Sequence, residues 1–349
     1  MTAGARYLRR GPRHRPPLDS LRESPGEPVY AALDLGTNNC RLLVARPAAG
    51  GFRIIDAFSR IVRLGEGVVA SGALSEAAIE RTVDALRVCA RKMRLRGVTR
   101  GRNVATEACR RAANCAEFLA RVQRDTGIAL EIISTHEEAQ LALAGCLPLL
   151  DGDEPHALVF DIGGGSTELI WLTLAPGGCP EIHDTLSIPC GVVNFAERYG
   201  GDRIDEAVYE AMVADVAARL APFEAAHGIG CKIASGLVQM LGTSGTVTTI
   251  AGVHKKLPRY DRALIDGCHL TFAEIEAANR HLVALDYQGR AALACIGPDR
   301  ADLVVAGSAI LEAICRTWPT GRLRVADRGL REGILLNLMR DAAQARVAG

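Results

Sequence analysis

The chain has 349 residues and a formal net charge of +1, with 41 Lys and Arg against 40 Asp and Glu. That balance excludes a field strong enough to make nucleic acid or a membrane surface the main partner. A hydrophobic content of 48% with 23% charged residues excludes a disordered chain, and the length allows two cores.

Residues 1–28 carry Arg6, Arg9, Arg10, Arg13 and Arg15 with Pro16, Pro17, Pro25 and Pro28, and lack the apolar run of a secretion signal. They read as a solvated, disordered basic tail. Nowhere does an apolar run approach the roughly 20 residues that span a bilayer. Eleven cysteines, an odd count with no C-x-x-C spacing, read as reduced, buried thiols of a cytoplasmic protein rather than a disulfide framework.

After the tail, strands are expected at 29–34, 40–46 and 52–63, the last two joined by the turn Ala48-Ala-Gly-Gly51. Ser75 as N-cap, with Ile79, Val83, Leu86 and Ala90 at helical spacing, predicts a core helix over 74–95. A strand at 103–105, the segment 106–113, a helix near 116–126, a strand at 130–133 and a helix opening at His136 follow. The polar, proline-marked stretch Pro148–Pro155 is the best linker between two domains. Strands then restart over 157–174 and 181–188, with helices near 192–199 and 204–227. An apolar helix opened by Gly242–Thr246 and helices near 271–285, 301–317 and 329–343 complete the pattern. The restart reads as an internal duplication, carried by paired motifs.

Those motifs are Asp34-Leu-Gly-Thr-Asn-Asn39 and Asp161-Ile-Gly-Gly-Gly-Ser-Thr167, each at the end of an apolar strand. Glycine lets the backbone turn tightly and present N–H groups to an anion, and an aspartate can hold a metal directly or through water. One such Asp often only caps its own turn; two hairpins suggest related domains facing each other across a phosphate. Glu168, on the strand beyond Ser166, either faces solvent or joins Asp161. Glu137 and Glu138 both open a helix, where carboxylates also suit the dipole, and the residues alone do not choose between them. Arg110 and Arg111 read equally as solvated surface charges. Gly242–Thr246 can bind an anion at a helix N-terminus or simply start the helix.

These stretches resemble the Ppx/GppA family of exopolyphosphatases and guanosine pentaphosphate phosphohydrolases, in the sugar kinase/actin/heat-shock ATPase superfamily. The matching segments are Asp34–Leu42, Ala105–Asn114, Glu131–Ala139, Asp161–Glu168, Gly242–Thr246, Arg300–Ser308 and Leu330–Gly333, in family order over about residues 29–340.

The resemblance implies an α/β fold of two actin-like (ribonuclease H-like) domains, each with a central mixed sheet, and an active site in the cleft between them. Domain I is expected over 29–141, domain II over 142–329, and 330–349 as a C-terminal helix returning to domain I, in a short two-domain form. It implies Glu138 as the catalytic carboxylate that orients and deprotonates water, and Arg110 as a phosphate contact. Mg2+ is implied at Asp161 and Glu168, with Asp34 beside them. Phosphate binding is implied for Gly36, Thr37, Asn38 and Asn39, for Gly163, Gly164, Gly165, Ser166 and Thr167, and for Gly242, Ser244 and Gly245. Asn39 stands where the family commonly has a second hydroxyl.

The implied activity is hydrolysis of the terminal phosphoanhydride of polyphosphate, or of guanosine pentaphosphate; a guanine pocket has no motif here. A small-molecule kinase or ATPase, and a non-catalytic alarmone or polyphosphate sensor, are the readings from other classes. The expected partners are inorganic polyphosphate or guanosine pentaphosphate, with no specific nucleic acid and no membrane, and the resemblance allows a homodimer.

Overall fold

A computed structural model describes residues 27–151, 153–175 and 180–347. Residues 1–26 of the expected basic tail lie outside the described residues. The first half contains β1 (Tyr30–Leu35), β2 (Asn39–Ala48), β3 (Gly51–Ile61), α1 (Val68–Ser71), α2 (Glu76–Leu95), β4 (Arg100–Ala105), α3 (Glu107–Arg111), α4 (Cys115–Thr126), β5 (Glu131–Ile132) and α5 (Thr135–Cys146). Its five strands lie in the order β3-β2-β1-β4-β5, with β1–β3 antiparallel and β4 and β5 joined in parallel. Ser75 caps α2 as expected, its hydroxyl accepting from the Ala78 N–H at 3.3 Å. The apolar face of α2 (Ile79, Val83, Leu86, Ala90) packs with Leu33, Leu35 and Leu42.

The second half contains β6 (His156–Ile162), β7 (Thr167–Thr173), β8 (Glu181–Ile188), α6 (Val192–Tyr199), α7 (Glu206–His227), α8 (Ile229–Ala234), β9 (Val238–Thr243), α9 (Ser244–His254), α10 (Arg262–Ile265), β10 (His269–Thr271), α11 (Phe272–Ala284), α12 (Tyr287–Ala291), α13 (Val304–Thr317), β11 (Arg322–Ala326) and α14 (Leu330–Val347). The sheet order is β10-β11-β9-β6-β7-β8. An antiparallel meander followed by two parallel strands therefore occurs in both sheets. The expected α/β class with two mixed sheets is the one observed.

Three strands escaped the sequence reading. β9 is six residues ending in Gly242-Thr243, so its apolar run merges with that of α9. β11 alternates Arg with Leu and Val, which reads as surface loop. β10 is only three residues long. The helix expected from Gly242 starts at Ser244, because Gly242 and Thr243 still pair with β11. Asp151, in the stretch between the two halves, is held by the second half: the Gln239 side chain donates to its carbonyl at 2.7 Å, and Arg324 pairs with its carboxylate at 2.9 Å.

α5 lies between the sheets. Its Leu141 packs with Tyr30, Ala32 and Leu43 of the first sheet, and Ala139, Leu143 and Cys146 pack with Ala157, Val159 and Ile170 of the second. α14 packs on α5 and against β1 through Ile334 and Leu335. Two glycines permit the helix crossing: a Cβ on Gly333 would lie 1.9 Å from the Leu141 carbonyl oxygen, and one on Gly145 would lie 2.1 Å from that of Gly329. Both obstacles are backbone and cannot rotate away. Gly333→Ala, which would gain about 1 kcal/mol in an open helix, is expected instead to destabilise the fold by about 1–3 kcal/mol. Chemical denaturation reads the sign, and a stabilised variant would contradict this crossing.

Ten cysteines are described, all free; eight are buried as expected, but Cys231 is exposed at the surface. Among the described residues, no helix is long and apolar enough to cross a membrane.

Candidate active site

The C-terminal ends of the parallel strands converge on one cleft. Asp34 is the last residue but one of β1 and Asp161 that of β6, and both carboxylates line the same cavity. The turns that follow are closed alike: the Gly36 N–H donates to the Asn39 carbonyl at 2.9 Å, and the Gly163 N–H to the Ser166 carbonyl at 2.9 Å. The next strand then pairs back, which places Arg41 directly opposite Asp34 and Glu168 directly opposite Asp161. Directly opposed residues of an antiparallel pair project from the same face. The duplicated hairpin thus carries a cation in one copy and a carboxylate in the other.

The two turns touch each other. An added Cβ at Gly164 would meet Thr37 and Asn38 at 3.0–3.2 Å, and one at Gly165 would meet the Thr37 hydroxyl at 2.7 Å. These glycines therefore let loop approach loop. Thr37 and Asn38 are buried at that contact, and the side-chain oxygens of Asn38 and Asn39 have no protein partner. Several hydroxyls are already engaged: Ser166 donates to Glu168 Oε1 at 2.6 Å, and Thr167 to the Cys190 carbonyl at 2.6 Å. Ser187, which the sequence did not suggest, also donates to Glu168 Oε1 at 3.0 Å. Glu168 is only 4% exposed, so the solvent-facing alternative does not hold.

Glu138 is reached from two directions. α5 begins at Ser134, whose hydroxyl caps the Glu137 N–H at 3.1 Å, and the first turn carries Glu138 to the cleft. Glu137 instead pairs outward with Arg102 at 2.6 Å, so the structure separates the two adjacent glutamates. From α3, Arg110 Nη1 donates to Glu138 Oε2 at 2.8 Å and to the Ile133 carbonyl at 2.9 Å, while its Nε donates to Glu107 Oε2 at 3.1 Å. The expected phosphate contact is therefore engaged with two carboxylates. Arg111 lies at the surface, exposed and 3.6 Å from Glu107.

The third loop is placed differently from the expectation. Gly242 lies within β9, where an added Cβ would meet the Phe160 ring at 2.6 Å, and it does not reach the cavity. Ser244 and Gly245 do reach it, at the first turn of α9. Thr243 makes no side-chain cap, its hydroxyl donating instead to the Arg328 carbonyl at 2.6 Å. The first N–H groups of α9 are thus left for an anion. Ser244 holds φ at 85°, a left-handed conformation that costs a non-glycine residue energy and concentrates at functional sites.

Beyond the loops the cleft opens into a cavity of about 1100 Å³. Arg41, Arg300 and Arg331 line it. Among the described residues, none of the three makes a side-chain hydrogen bond or ion pair with protein. Burial lowers the pKa of Arg300 and Arg331. Unpaired, partly desolvated guanidinium groups suit an extended anion. None of the three was singled out from sequence; the seven-residue offset shared by the hairpins (34 to 41, 161 to 168) would have flagged Arg41.

At the inner end, four carboxylates are out of balance. Burial raises Asp34 and pushes Asp161 up to about 6, with Arg41 opposing both shifts. Burial pushes Glu168 up to about 7, opposed by the Ser166 hydroxyl and aggravated by Asp161. Glu138 is raised by burial, then by Glu168, with Arg110 opposing. A cation would relieve this crowding. Among the described residues, no three His, Cys, Asp or Glu side chains form a metal cage. The donor set fits magnesium, which takes one or two carboxylates and completes its shell with water and phosphate.

Raised carboxyl pKa values stabilise the fold at low pH, and that contribution is lost as pH rises through the folded values. The magnesium-free protein is therefore expected to lose melting temperature as pH rises from about 4 to about 7, between the ordinary carboxyl range and the folded values of Asp161 and Glu168. Glu168→Gln should flatten the loss, as read by thermal melts in chelator; an unchanged slope would mean that the strain lies elsewhere.

The description of the Ppx/GppA phosphatase family matches residues 43–342. Exopolyphosphatase 2 of Mycobacterium tuberculosis (strain H37Rv) is 32% identical over 323 residues, covering 88% of this chain and 98% of its own. The guanosine-5'-triphosphate,3'-diphosphate pyrophosphatase of Aeromonas salmonicida is 32% identical over 313 residues, covering 89% of this chain and 60% of its own. The crystal structure of the Aquifex aeolicus Ppx/GppA family member superposes with a TM-score of 0.74 at 28% identity, over 90% of this chain and 98% of that one.

Proposed function

We propose that this chain, which belongs to the Ppx/GppA phosphatase family, hydrolyses the terminal phosphoanhydride of inorganic polyphosphate and releases orthophosphate. The observation that carries the reading is Glu138, held by Arg110 beside both hairpin loops at the inner end of an arginine-lined cavity. In this reading the sheets belong to two domains, about 29–141 and 142–329, and α14 returns to the first. The chain is placed in the cytoplasm, for which the free thiols are support.

The terminal phosphate sits against the N–H groups of Thr37, Asn38, Gly164 and Gly165 and of the α9 start, which favour its oxygens through partial positive charge. Arg41, Arg300 and Arg331 receive the phosphates that follow. Glu138 orients a water in line with the leaving oxygen and accepts its proton, which is most of what a loose phosphoryl-transfer transition state needs. Asp161 and Glu168, with Asp34 beside them, would hold magnesium, which supplies charge neutralisation on the phosphoryl group. Arg110 keeps the Glu138 carboxylate aimed and ionised.

Guanosine pentaphosphate is the second reading. Tyr260, 41% exposed at the cavity wall, offers an aromatic face on which a base could stack. Purified protein with magnesium, given polyphosphate, guanosine pentaphosphate and ATP in turn, is expected to release phosphate fastest from polyphosphate. Faster release from the pentaphosphate would reverse the preference. Binding without release from any of them would sink the hydrolase reading.

A further inference from the structure

One arginine joins the two sides of the cleft without facing the inner site. Arg63, in the segment that follows β3, spans the cleft to the Asp299–Asp302 loop that precedes α13. Its Nη1 donates to Asp302 Oδ2 at 2.7 Å, its Nη2 to Asp302 Oδ1 at 2.9 Å, and Nη2 also to the Asp299 carbonyl at 3.1 Å. Such a two-pronged contact fixes direction as well as distance. The backbone of Arg63 is equally committed on its own side. Its N–H donates to the Asn38 carbonyl at 3.0 Å, beside the Val62 N–H to the same oxygen at 2.8 Å, while the Gly65 N–H donates to the Thr37 carbonyl at 2.9 Å. Arg63 holds φ at 48°, a left-handed conformation that an arginine keeps only when its surroundings enforce it.

The gripped loop carries Arg300, one of the unpaired guanidinium groups of the cavity. From its other side the loop is held by Arg290, a fully buried arginine that donates to the Ala301 carbonyl at 2.9 Å and to the Gly201 carbonyl at 2.7 Å. Arg290 anchors the loop to its own half; Arg63 ties it to the first phosphate loop in the other. A continuous set of bonds therefore runs from Thr37 and Asn38, through Arg63, to the residues flanking Arg300.

We propose that Arg63 is a positioning residue that fixes the span between the first phosphate loop and Arg300, and so selects anions long enough to occupy both. The inference rests on the phosphohydrolase reading. Orthophosphate fills only the inner loops and does not use this span, whereas a chain that continues to Arg300 must match it. Arg63→Met keeps a Cβ and comparable length, so the backbone strain is unchanged while the grip is lost.

The test measures steady-state phosphate release from long-chain polyphosphate and its inhibition by orthophosphate, with Arg63→Met, Asp302→Arg, Arg63→Asp and the double reversal Arg63→Asp/Asp302→Arg. Arg87→Met, which removes an exposed pair with Asp84, serves as control. Arg63→Met should raise KM for the long chain by about five- to tenfold and leave the inhibition constant of orthophosphate within about twofold. The double reversal should recover most of what each single reversal loses. Hydrogen exchange of the segment 297–304, measured without substrate, should quicken in Arg63→Met and return toward wild type in the double reversal. An equal rise in the orthophosphate inhibition constant, or a double reversal no better than the singles, would overturn the proposal. If wild type releases no phosphate from polyphosphate, the functional reading fails, and unchanged exchange in Arg63→Met would then overturn the grip by itself.

Discussion

Glu138→Gln is expected to lower kcat for polyphosphate by about 10²–10⁴-fold, the usual worth of a positioned general base, while the protein still binds the chain. The substitution keeps the shape and a carbonyl oxygen to accept from Arg110, so α3 and α5 stay in register. What it removes is the ability to take a proton from water. It also removes a charge that its neighbours repel, since Glu168 and Asp34 both push Glu138 upward. Binding should therefore be unchanged or slightly tighter, because the cavity loses a repulsive charge. Single-turnover phosphate release, with polyphosphate binding measured separately, distinguishes this from general damage. An undiminished kcat would remove Glu138 from the chemistry; equal loss of binding and turnover would make its role structural.

The fold was largely readable because its repeat is written locally. Each half starts with an apolar strand, an Asp and a glycine turn, and the pleat then forces the return strand to pair back on the first. Asp34, Asp161 and the glycine turns after them follow from that pattern, whereas Glu168 was placed by the resemblance. β9 and β11 did not follow from it, since their burial depends on neighbours far away in sequence rather than on alternation within five or six residues. At Glu138 the helix start alone left two adjacent glutamates, and only the family resemblance chose between them. Arg300 and Arg331 were not legible, because their lack of partners exists only once the loops before α13 and α14 are folded over the cleft. Arg110 shows the converse: its position near the site could be inferred, but its three partners could not.

Those partners determine what loss of Arg110 should do. If the arginine acted mainly by gripping phosphate, Arg110→Met would raise KM and leave the pH profile in place. The geometry favours a different outcome. Arg110 is the opposite charge that offsets the burial and carboxylate repulsion raising Glu138. A nearby opposite charge depresses a carboxyl pKa by about 1–3 units, so removing it should move Glu138 upward by that order. A base must be ionised to accept a proton, hence the acidic limb of kcat should move to higher pH by about 1–3 units. At neutral pH the variant would be short of ionised base, and alkaline buffer should restore part of its rate. Arg110→Lys keeps a charge but not the fork that reaches Glu138, Glu107 and the Ile133 carbonyl together, so its limb should fall between those of Met and wild type. A pH–kcat profile across the three proteins decides the matter. A fixed limb with a raised KM would return Arg110 to the phosphate, whereas a moved limb would make it the residue that keeps Glu138 ionised.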